Sequence, residues 1–365
     1  MPDFDTKALR AAVLHRVGNS AAEEGYVLSG RPLRLDERLQ DLLVRLFVSP
    51  FKGEEYYRFT ADEGVETNDL YRCCADIFAD PERLVEESRR IARRLYEATA
   101  HPDLRGGDLM VAYFDGCLFE GERVEAVGIF KCEGRDPFLQ VVGDEEASGG
   151  GGAAVTAAET GAIEGQYALR MAEGIAADRL DKGAIVFRAE EEKGFVVAVA
   201  EATKSSREAQ YWRDAFLEIR PREDEYFNTH TEMQAYKKFV TDELPQQFDG
   251  VSRADQADML NRCSNYFKQN DNFDLQTFAE EVIAQPEVID SFQQYRKQFQ
   301  EDYDVQLPDS YDISESAVKK QSRAYKGVIK LDRNFHIYVH GDRDLIEQGE
   351  DEKGKYYKVY YKEES

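Results

Sequence analysis

Residues 183–239 read GAIVFRAEEEKGFVVAVAEATKSSREAQYWRDAFLEIRPREDEYFNTHTEMQAYKKF, and the way this stretch folds constrains everything around it. Ile185, Val186 and Phe187 run into a charged turn, Glu190-Glu191-Glu192-Lys193-Gly194, and residues 195–200 (FVVAVA) follow without a polar side chain. A strand that is apolar at every position has no face to give to water. The pattern therefore predicts a hairpin whose second strand lies centrally in a sheet and is covered on both sides. Beyond it, Ser205 and Glu208 stand at capping-box spacing, and Ala209, Trp212, Phe216 and Ile219 recur at helical intervals up to Pro221. This predicts a short helix, with residues 216–220 extended as the alternative. Thr229 and Glu232 repeat the capping box ahead of Met233, Tyr236, Val240 and Leu244, which predicts a second helix starting at 229.

Toward the N-terminus, residues 7–17 read as a helix. Asp36 stands as an N-cap before Leu39, Leu42, Leu43 and Leu46, and Ser49-Pro50 closes that helix. Asp80-Pro81 opens another, with Leu84, Ser88, Ile91 and Leu95 tracing one face as far as Ala98. Residues 109–119 and 123–132 are β-rich runs joined at Glu120-Gly121-Glu122, the pattern of an antiparallel hairpin. Residues 143–161, with four consecutive glycines at 149–152, carry too little apolar surface to bury and read as a surface loop. Residues 163–172 alternate with a period of two, as expected of a half-exposed strand feeding the central hairpin.

Toward the C-terminus, helices are expected over 229–244, 252–269, 274–285 and 286–303, followed by short strands at 328–331, 335–339 and 356–361. The strands either complete the first sheet or form a small one of their own. The fold class expected is α+β: an antiparallel-rich mixed sheet with flanking helices, a helical middle and a β-rich end. The expected divisions are 1–228, 229–310 and 311–365.

With 365 residues, 42% of them hydrophobic, the chain can bury more than one core. Its formal net charge is −25, so the field of the whole molecule repels nucleic acid and anionic membranes, and any phosphate contact must come from a local basic patch or through a partner. No run of eighteen apolar residues occurs, and residues 1–20 lack the apolar core and small-residue cleavage site of a secretion signal, so a cytoplasmic location is expected. Cys73, Cys74, Cys117, Cys132 and Cys263 show no metal-ligand spacing and read as buried, reduced thiols.

Chemistry-bearing patterns are sparse. None of the five histidines falls in a catalytic motif, and His336 and His340 sit on a strand pattern that would hold their rings about 13 Å apart, too far for one ion. Asn270, Asn272, Asp274 and Glu281 imitate a calcium loop, yet Leu275 stands where such a loop needs glycine, so Asp274 reads as a helix cap. The glycines at 149–152 lack a following Gly-Lys-Ser/Thr. Asp302 and Asp304 form a lone Asp-x-Asp pair. Arg89, Arg90, Arg93 and Arg94 crowd one helix, with Glu82, Glu86 and Glu87 a turn earlier to pair with them. Against the global charge, residues 317–333 (AVKKQSRAYKGVIKLDR) hold Lys319, Lys320, Arg323, Lys326, Lys330 and Arg333 with Asp332 as the one acid. These six are the candidate nucleic-acid contacts, with Tyr325 available to pack beside a sugar or base; a solvated basic helix and strand balancing acidic neighbours is the competing reading. Lys204, Arg207 and Arg213 form a weaker candidate.

Taken in order, RGGDLMVAYFDGCLFEGERVEAVGIFKCE (105–133), DRLDKGAIVFRAEEEKGFVVAVAEAT (178–203), AQYWRDAFLEI (209–219), TEMQAYKKF (231–239) and GVIKLDRNFHIYVHG (327–341) resemble the NdpA-like nucleoid-associated family of bacteria. The resemblance spans residues 90–345 and is firmest over 105–135 and 180–240; the Gly-rich loop resembles an insertion relative to the family pattern. It implies a cytoplasmic, non-enzymatic protein of the nucleoid that acts with DNA-handling enzymes such as type II topoisomerases; separately, no cofactor is expected, and DNA, held weakly and without marked sequence preference, and further copies of the chain are its other expected partners. Two alternatives remain open: an acidic adaptor that binds DNA-processing proteins without touching DNA, and a metal-dependent phosphodiesterase built on clustered carboxylates.

Overall fold

The computed structural model describes residues 4–143, 167–202, 210–322, 324–325, 328–331, 335–339, 345–361 and 363. The chain divides into two compact units, one of residues 1–52 and 56–220, the other of residues 53–55 and 221–365.

The N-terminal unit is built on an eight-stranded sheet. Its strands are β1 (Leu9–Val17), β2 (Tyr26–Val27), β3 (Tyr56–Phe59), β4 (Gly107–Phe119), β5 (Glu122–Cys132), β8 (Lys182–Phe187), β9 (Val196–Glu201) and β10 (Ile219–Pro221), in spatial order β10-β3-β9-β8-β5-β4-β1-β2. The ladders from β3 across to β2 are antiparallel. The apolar run at 195–200 is central as expected, because β9 lies between β8 and β3 and neither face meets water. Val197 points with Val186 and Val111 into one core, where helices α2 (Asp69–Ala79) and α3 (Leu84–Ala98) and the ring of Trp212 cover the sheet. Val196 and Ala198 point with Phe187, Phe130 and Met110 into a second core beneath α1 (Glu37–Val48). Alternate residues thus serve opposite cores, which is why these strands read as continuous apolar runs.

The caps of α1 and α3 follow the sequence. Asp36 accepts from the Leu39 amide, and Asp80 caps the 3-10 turn Pro81–Arg83 that leads into α3. Residues 211–217 form one π-helical segment before β10, so the helix and the extended residues expected around Trp212 both occur, in succession. Ser205 and Glu208 lie outside the described residues.

Residues 9–17 are a strand, not the expected helix. Pairing with β4 from Val17↔Gly107 to Leu9↔Phe114 supplies a ladder that the Ala-rich segment's helix propensity cannot match, since such propensities are fractions of a kcal/mol per residue. Residues 167–174 are also placed differently from expectation. They form β7 (Tyr167–Gly174) paired with β6 (Asp136–Gly143) in a separate two-stranded ribbon instead of feeding the central hairpin. The expectation of a surface loop at 143–161 falls outside the described residues from 144 onward.

The C-terminal unit is mainly helical. Helix α4 (Glu225–Lys238) runs on through a π-helical turn at Phe239–Glu243 into Leu244–Gln247, and α5 (Arg253–Gln269) opens on a full capping box at Ser252 and Asp255. Asp274 caps α6 (Leu275–Phe278), and Pro286 begins α7 (Pro286–Tyr303). Helix α4 starts earlier than expected, because Asp224 accepts from the Phe227 amide and is the true cap. Thr229 and Glu232 are buried inside the helix: Thr229 accepts from the Ser314 amide at 3.0 Å and Glu232 meets Arg296. A dense aromatic core fills the unit, with Tyr236 edge-on to both Phe278 and Phe292.

After β11 (Asn272–Asp274), β12 (Ser310–Asp312) and α8 (Glu315–Gln321), the chain forms two further ribbons, β13 (Val328–Lys330) with β14 (His336–Tyr338) and β15 (Ile346–Asp351) with β16 (Gly354–Val359). They do not join the large sheet. Strand β15, IEQGED, is too acidic to read as a strand and becomes one by pairing with the Tyr-rich β16.

Candidate nucleic-acid interface

The six cations expected to meet phosphate fall into different settings. Lys319 is exposed in the last turn of α8, where a cation complements the helix C-terminus. Lys320 is already engaged: its Nζ donates to Glu55 Oε2 at 2.5 Å and lies 5.4 Å from the centroid of the Tyr226 ring. Lys330 is placed by its backbone in β13 opposite His336. Arg323, Lys326 and Arg333 lie outside the described residues. Tyr325 does not offer its ring to a ligand. It is 2% exposed within the aromatic core and its hydroxyl donates to the Met233 carbonyl.

A second cationic stretch, overlooked in the sequence, adjoins the first. Residues 353–362 read KGKYYKVYYK, four lysines and four tyrosines with no acid. The pairing register puts Tyr356 opposite Gly349 on one face of the β15–β16 ribbon, along with Lys358 opposite Glu347. Gly349 is what lets the Tyr356 ring lie across the neighbouring strand, because a Cβ there would stand 2.4 Å from the ring. The ring remains 44% exposed. Lys358 Nζ sits 4.8 Å from the centroid of the Tyr360 ring, and both Lys358 and the Tyr360 hydroxyl reach Glu347. The opposite face of the ribbon is anchored: Ile346, with Tyr357 packed beside it, joins Ile329, Val339, Ala254 and Ala257 in a small core against α5. That core ties β13, which carries Lys330, to the Lys-Tyr ribbon. Exposed aromatic faces among lysines are the elements from which phosphate contact and base stacking are made. The signal that could have found the second stretch is its local charge, four cations in ten residues of a chain at −25.

Apart from Arg93, which is exposed on α3, the remaining candidates are structural. Arg90 bridges Glu87 at 2.7 Å and Asp76 at 3.6 Å, Arg94 meets Glu218 at 2.5 Å, and Arg89 donates to the Ser29 carbonyl. Arg213 meets Glu201 at 2.7 Å and lies over the Tyr57 ring; Lys204 and Arg207 lie outside the described residues. All five cysteines are buried and free, and burial pushes the Cys73, Cys117 and Cys132 thiols up to about 12. Asp274 serves as a cap, and Asp302 accepts from Gln298. His340 lies outside the described residues, while His336 is exposed on β14. Among the described residues no group of three or more His, Cys, Asp or Glu side chains is arranged to hold a metal ion, and no helix is long and apolar enough to cross a membrane.

Comparison with curated proteins finds no match. Comparison with family models finds one that covers nearly the whole chain: residues 13–357 match the family described as nucleoid-associated protein YejK, also called NdpA. The central hairpin, the helical core and the C-terminal ribbons up to residue 357 of β16 fall within the match, and the chain belongs to this nucleoid-associated family.

Proposed function

We propose that this nucleoid-associated chain contacts DNA directly, weakly and without marked sequence preference, through cationic and aromatic side chains on its C-terminal ribbons and the end of α8. The observation that carries this reading is the small core of Ala254, Ala257, Ile329, Val339 and Ile346, which gathers the strand bearing Lys330 and the ribbon bearing Lys353, Lys355 and Lys358 in one region. Only such a gathering offsets a net charge of −25. Glu347, Glu350 and Asp351 on β15 temper the patch, which is why the affinity is weak. The role is that of a non-enzymatic binding protein of the cytoplasmic nucleoid, and no cofactor enters it.

A second reading rests on a cavity of about 470 Å³ in the C-terminal unit. Its lining is apolar at Leu244, Met259, Ile283 and Val288 and carries Asp249, Asp255 and Asp258 against Arg262, which pairs with Asp258 at 3.0 Å, a net acidic setting for a basic, apolar segment of a DNA-processing protein such as a type II topoisomerase. This is the adaptor role. Titration of the purified chain with duplex DNA over a range of salt separates the two. Binding at low salt that weakens steeply as salt rises supports direct contact; no binding at low salt leaves the adaptor. Cleavage of the DNA that requires Mg²⁺ and stops with EDTA would point instead to a phosphodiesterase.

A further inference from the structure

Two ribbons of the C-terminal unit turn their inner residues into one small core: Ile329 and Ile337 from β13–β14, Ile346 and Tyr357 from β15–β16. Strand alternation sends the neighbouring side chains the other way. Tyr338, next to Ile337, is 59% exposed, and Tyr356, next to Tyr357, is 44% exposed above Gly349. Tyr360, on the same side as Tyr356 and Lys358, is 41% exposed; its hydroxyl donates to Glu347 at 2.8 Å, and the Lys358 ammonium lies 4.8 Å from its ring centroid. Single exposed rings are ordinary on a surface, but three of them on the outer faces of ribbons that share a core form a patch. The cations are placed as unevenly as the rings. Residues 353–362 contain four lysines and no acid, whereas β15 beside them carries Glu347, Glu350 and Asp351. The positive row is therefore one strand wide and bordered by acids. It complements one phosphate backbone better than the two of a duplex, which lie about 6 or 12 Å apart across the grooves.

On the reading that these ribbons touch nucleic acid, on which this inference rests, we propose that they select an unpaired strand over duplex, lysines along β16 following its phosphates while Tyr338, Tyr356 and Tyr360 stack on its bases. A duplex keeps the faces of its bases inside its own stack and offers a ribbon only phosphates. An unpaired strand offers both. Every base has a face to stack, so the rings add affinity without adding sequence preference. Stacking also releases no counterions, and each phosphate contact costs a single strand less in salt dependence, with a slope of about −0.7 against about −0.9 for duplex. The preference for the unpaired strand should therefore widen as salt rises. Opened DNA and RNA present the same chemistry to such a face.

Fluorescence anisotropy of the full-length chain with labelled oligo-dT, oligo-rU, a hairpin duplex of equal phosphate number and an abasic strand tests this. Both base-bearing strands are expected to bind at least about tenfold more tightly than the duplex and the abasic strand, by a margin that grows with salt. Tighter binding of oligo-rU would name RNA as the source of the strand, and tighter binding of oligo-dT would name opened DNA. Tyr338→Leu with Tyr356→Leu keeps apolar bulk above Gly349 without an aromatic plane, and should weaken strand binding about tenfold while leaving duplex binding unchanged. Tyr338→Phe with Tyr356→Phe keeps both planes and should bind like the parent. If the leucine variant fails to fold, the comparison of abasic with base-bearing strands on the parent chain still decides. Duplex or abasic strand bound as tightly as oligo-dT overturns the proposal and leaves direct DNA contact standing, whereas failure to bind any of the four overturns both.

Discussion

Arg296 holds both carboxylate oxygens of Glu232 from one nitrogen, Nε lying 3.1 Å from Oε1 and 3.0 Å from Oε2, in the interior of the C-terminal unit. The rest of the guanidinium is spent on Asp309 and on the carbonyls of Leu307 and Pro308. One side chain therefore joins α4, α7 and the segment after α7. Burial pushes the Glu232 carboxyl up to about 7, against the lowering effect of Arg296. A carboxyl whose pKa is higher folded than unfolded binds more protons in the folded state, so its ionisation costs stability. The stability of this unit should be greatest, as far as Glu232 is concerned, below the unfolded value of 4.5, fall as pH rises through about 7, and then level off. Glu232→Gln should remove that slope. As a neutral isostere of the protonated acid, it should leave stability at pH 8 no lower than the parent's, Arg296 keeping Asp309 and the two carbonyls. Denaturant unfolding followed by circular dichroism at several pH values reads both effects.

His15 makes the opposite prediction for the N-terminal unit. Its Nδ1 accepts from the Ser29 amide at 3.1 Å, so the neutral ring must carry its proton on Nε2, where it donates to Ser88 Oγ at 2.9 Å. Burial first, and Arg89 second, lower its pKa to about 4. The unfolded chain then binds the extra proton between about 6.5 and about 4, so stability is full above 6.5 and is lost as pH falls through that window, by at most about 3 kcal/mol. The sole Trp, Trp212, is fully buried in this unit, so its fluorescence follows this transition by itself. His15→Gln should flatten the acid limb of that signal.

Val197 offers the sharpest test of the sheet. It pairs with Val186 on one side and Tyr57 on the other and is fully buried. Val197→Asp places a carboxylate with no cation among apolar side chains, at a cost of several kcal/mol against a total stability of roughly 5–15 kcal/mol. The expected outcome is loss of the cooperative Trp212 transition or a fall in melting temperature of more than about 10 °C. Melting like the parent's would show that the strand is not central.

What could be read from the sequence is what local chemistry decides. The continuous run FVVAVA could only be a doubly covered strand, and Asp36, Ser252 and Asp274 each cap the helix they precede. What could not be read depends on partners distant in sequence. Residues 9–17 have helical composition and become a strand because β4 lies alongside. Tyr56–Phe59 is too short to stand out and is fixed by pairing with β9, while α2 breaks its pattern with Cys73 and Cys74, whose thiols serve as core. Thr229 and Glu232 have capping-box spacing but meet Ser314 and Arg296, some 60 to 85 residues away. The basic segment was visible as charge. That Lys320 is held by Glu55, that Tyr325 is core and that a Lys-Tyr strand joins the patch were visible only once folded.

The proposed DNA contact makes a prediction that separates cations by setting. Lys319, Lys353, Lys355 and Lys358 are exposed, and if each neutralises one phosphate the logarithm of the binding constant should fall with the logarithm of salt at a slope of about −3.6. Replacing Lys353, Lys355 and Lys358 together by Ala should flatten the slope by about 2.7 while leaving base preference unaltered, since phosphate contacts carry no sequence information. Lys320→Ala should change the slope less, because its ammonium is held by Glu55 at 2.5 Å and must give up that bond to reach a phosphate, whereas the Lys358–Glu347 pair is looser at 3.5 Å. Tyr356→Ala removes a ring lying over Gly349 and should weaken binding to single strands more than to duplex, since only an unpaired base can stack on it. Arg90→Ala with Arg94→Ala is the control, both side chains being ion-paired within the N-terminal unit. If that control abolishes binding while the triple lysine variant binds like the parent, the contact lies on α3 and the C-terminal ribbons have another task.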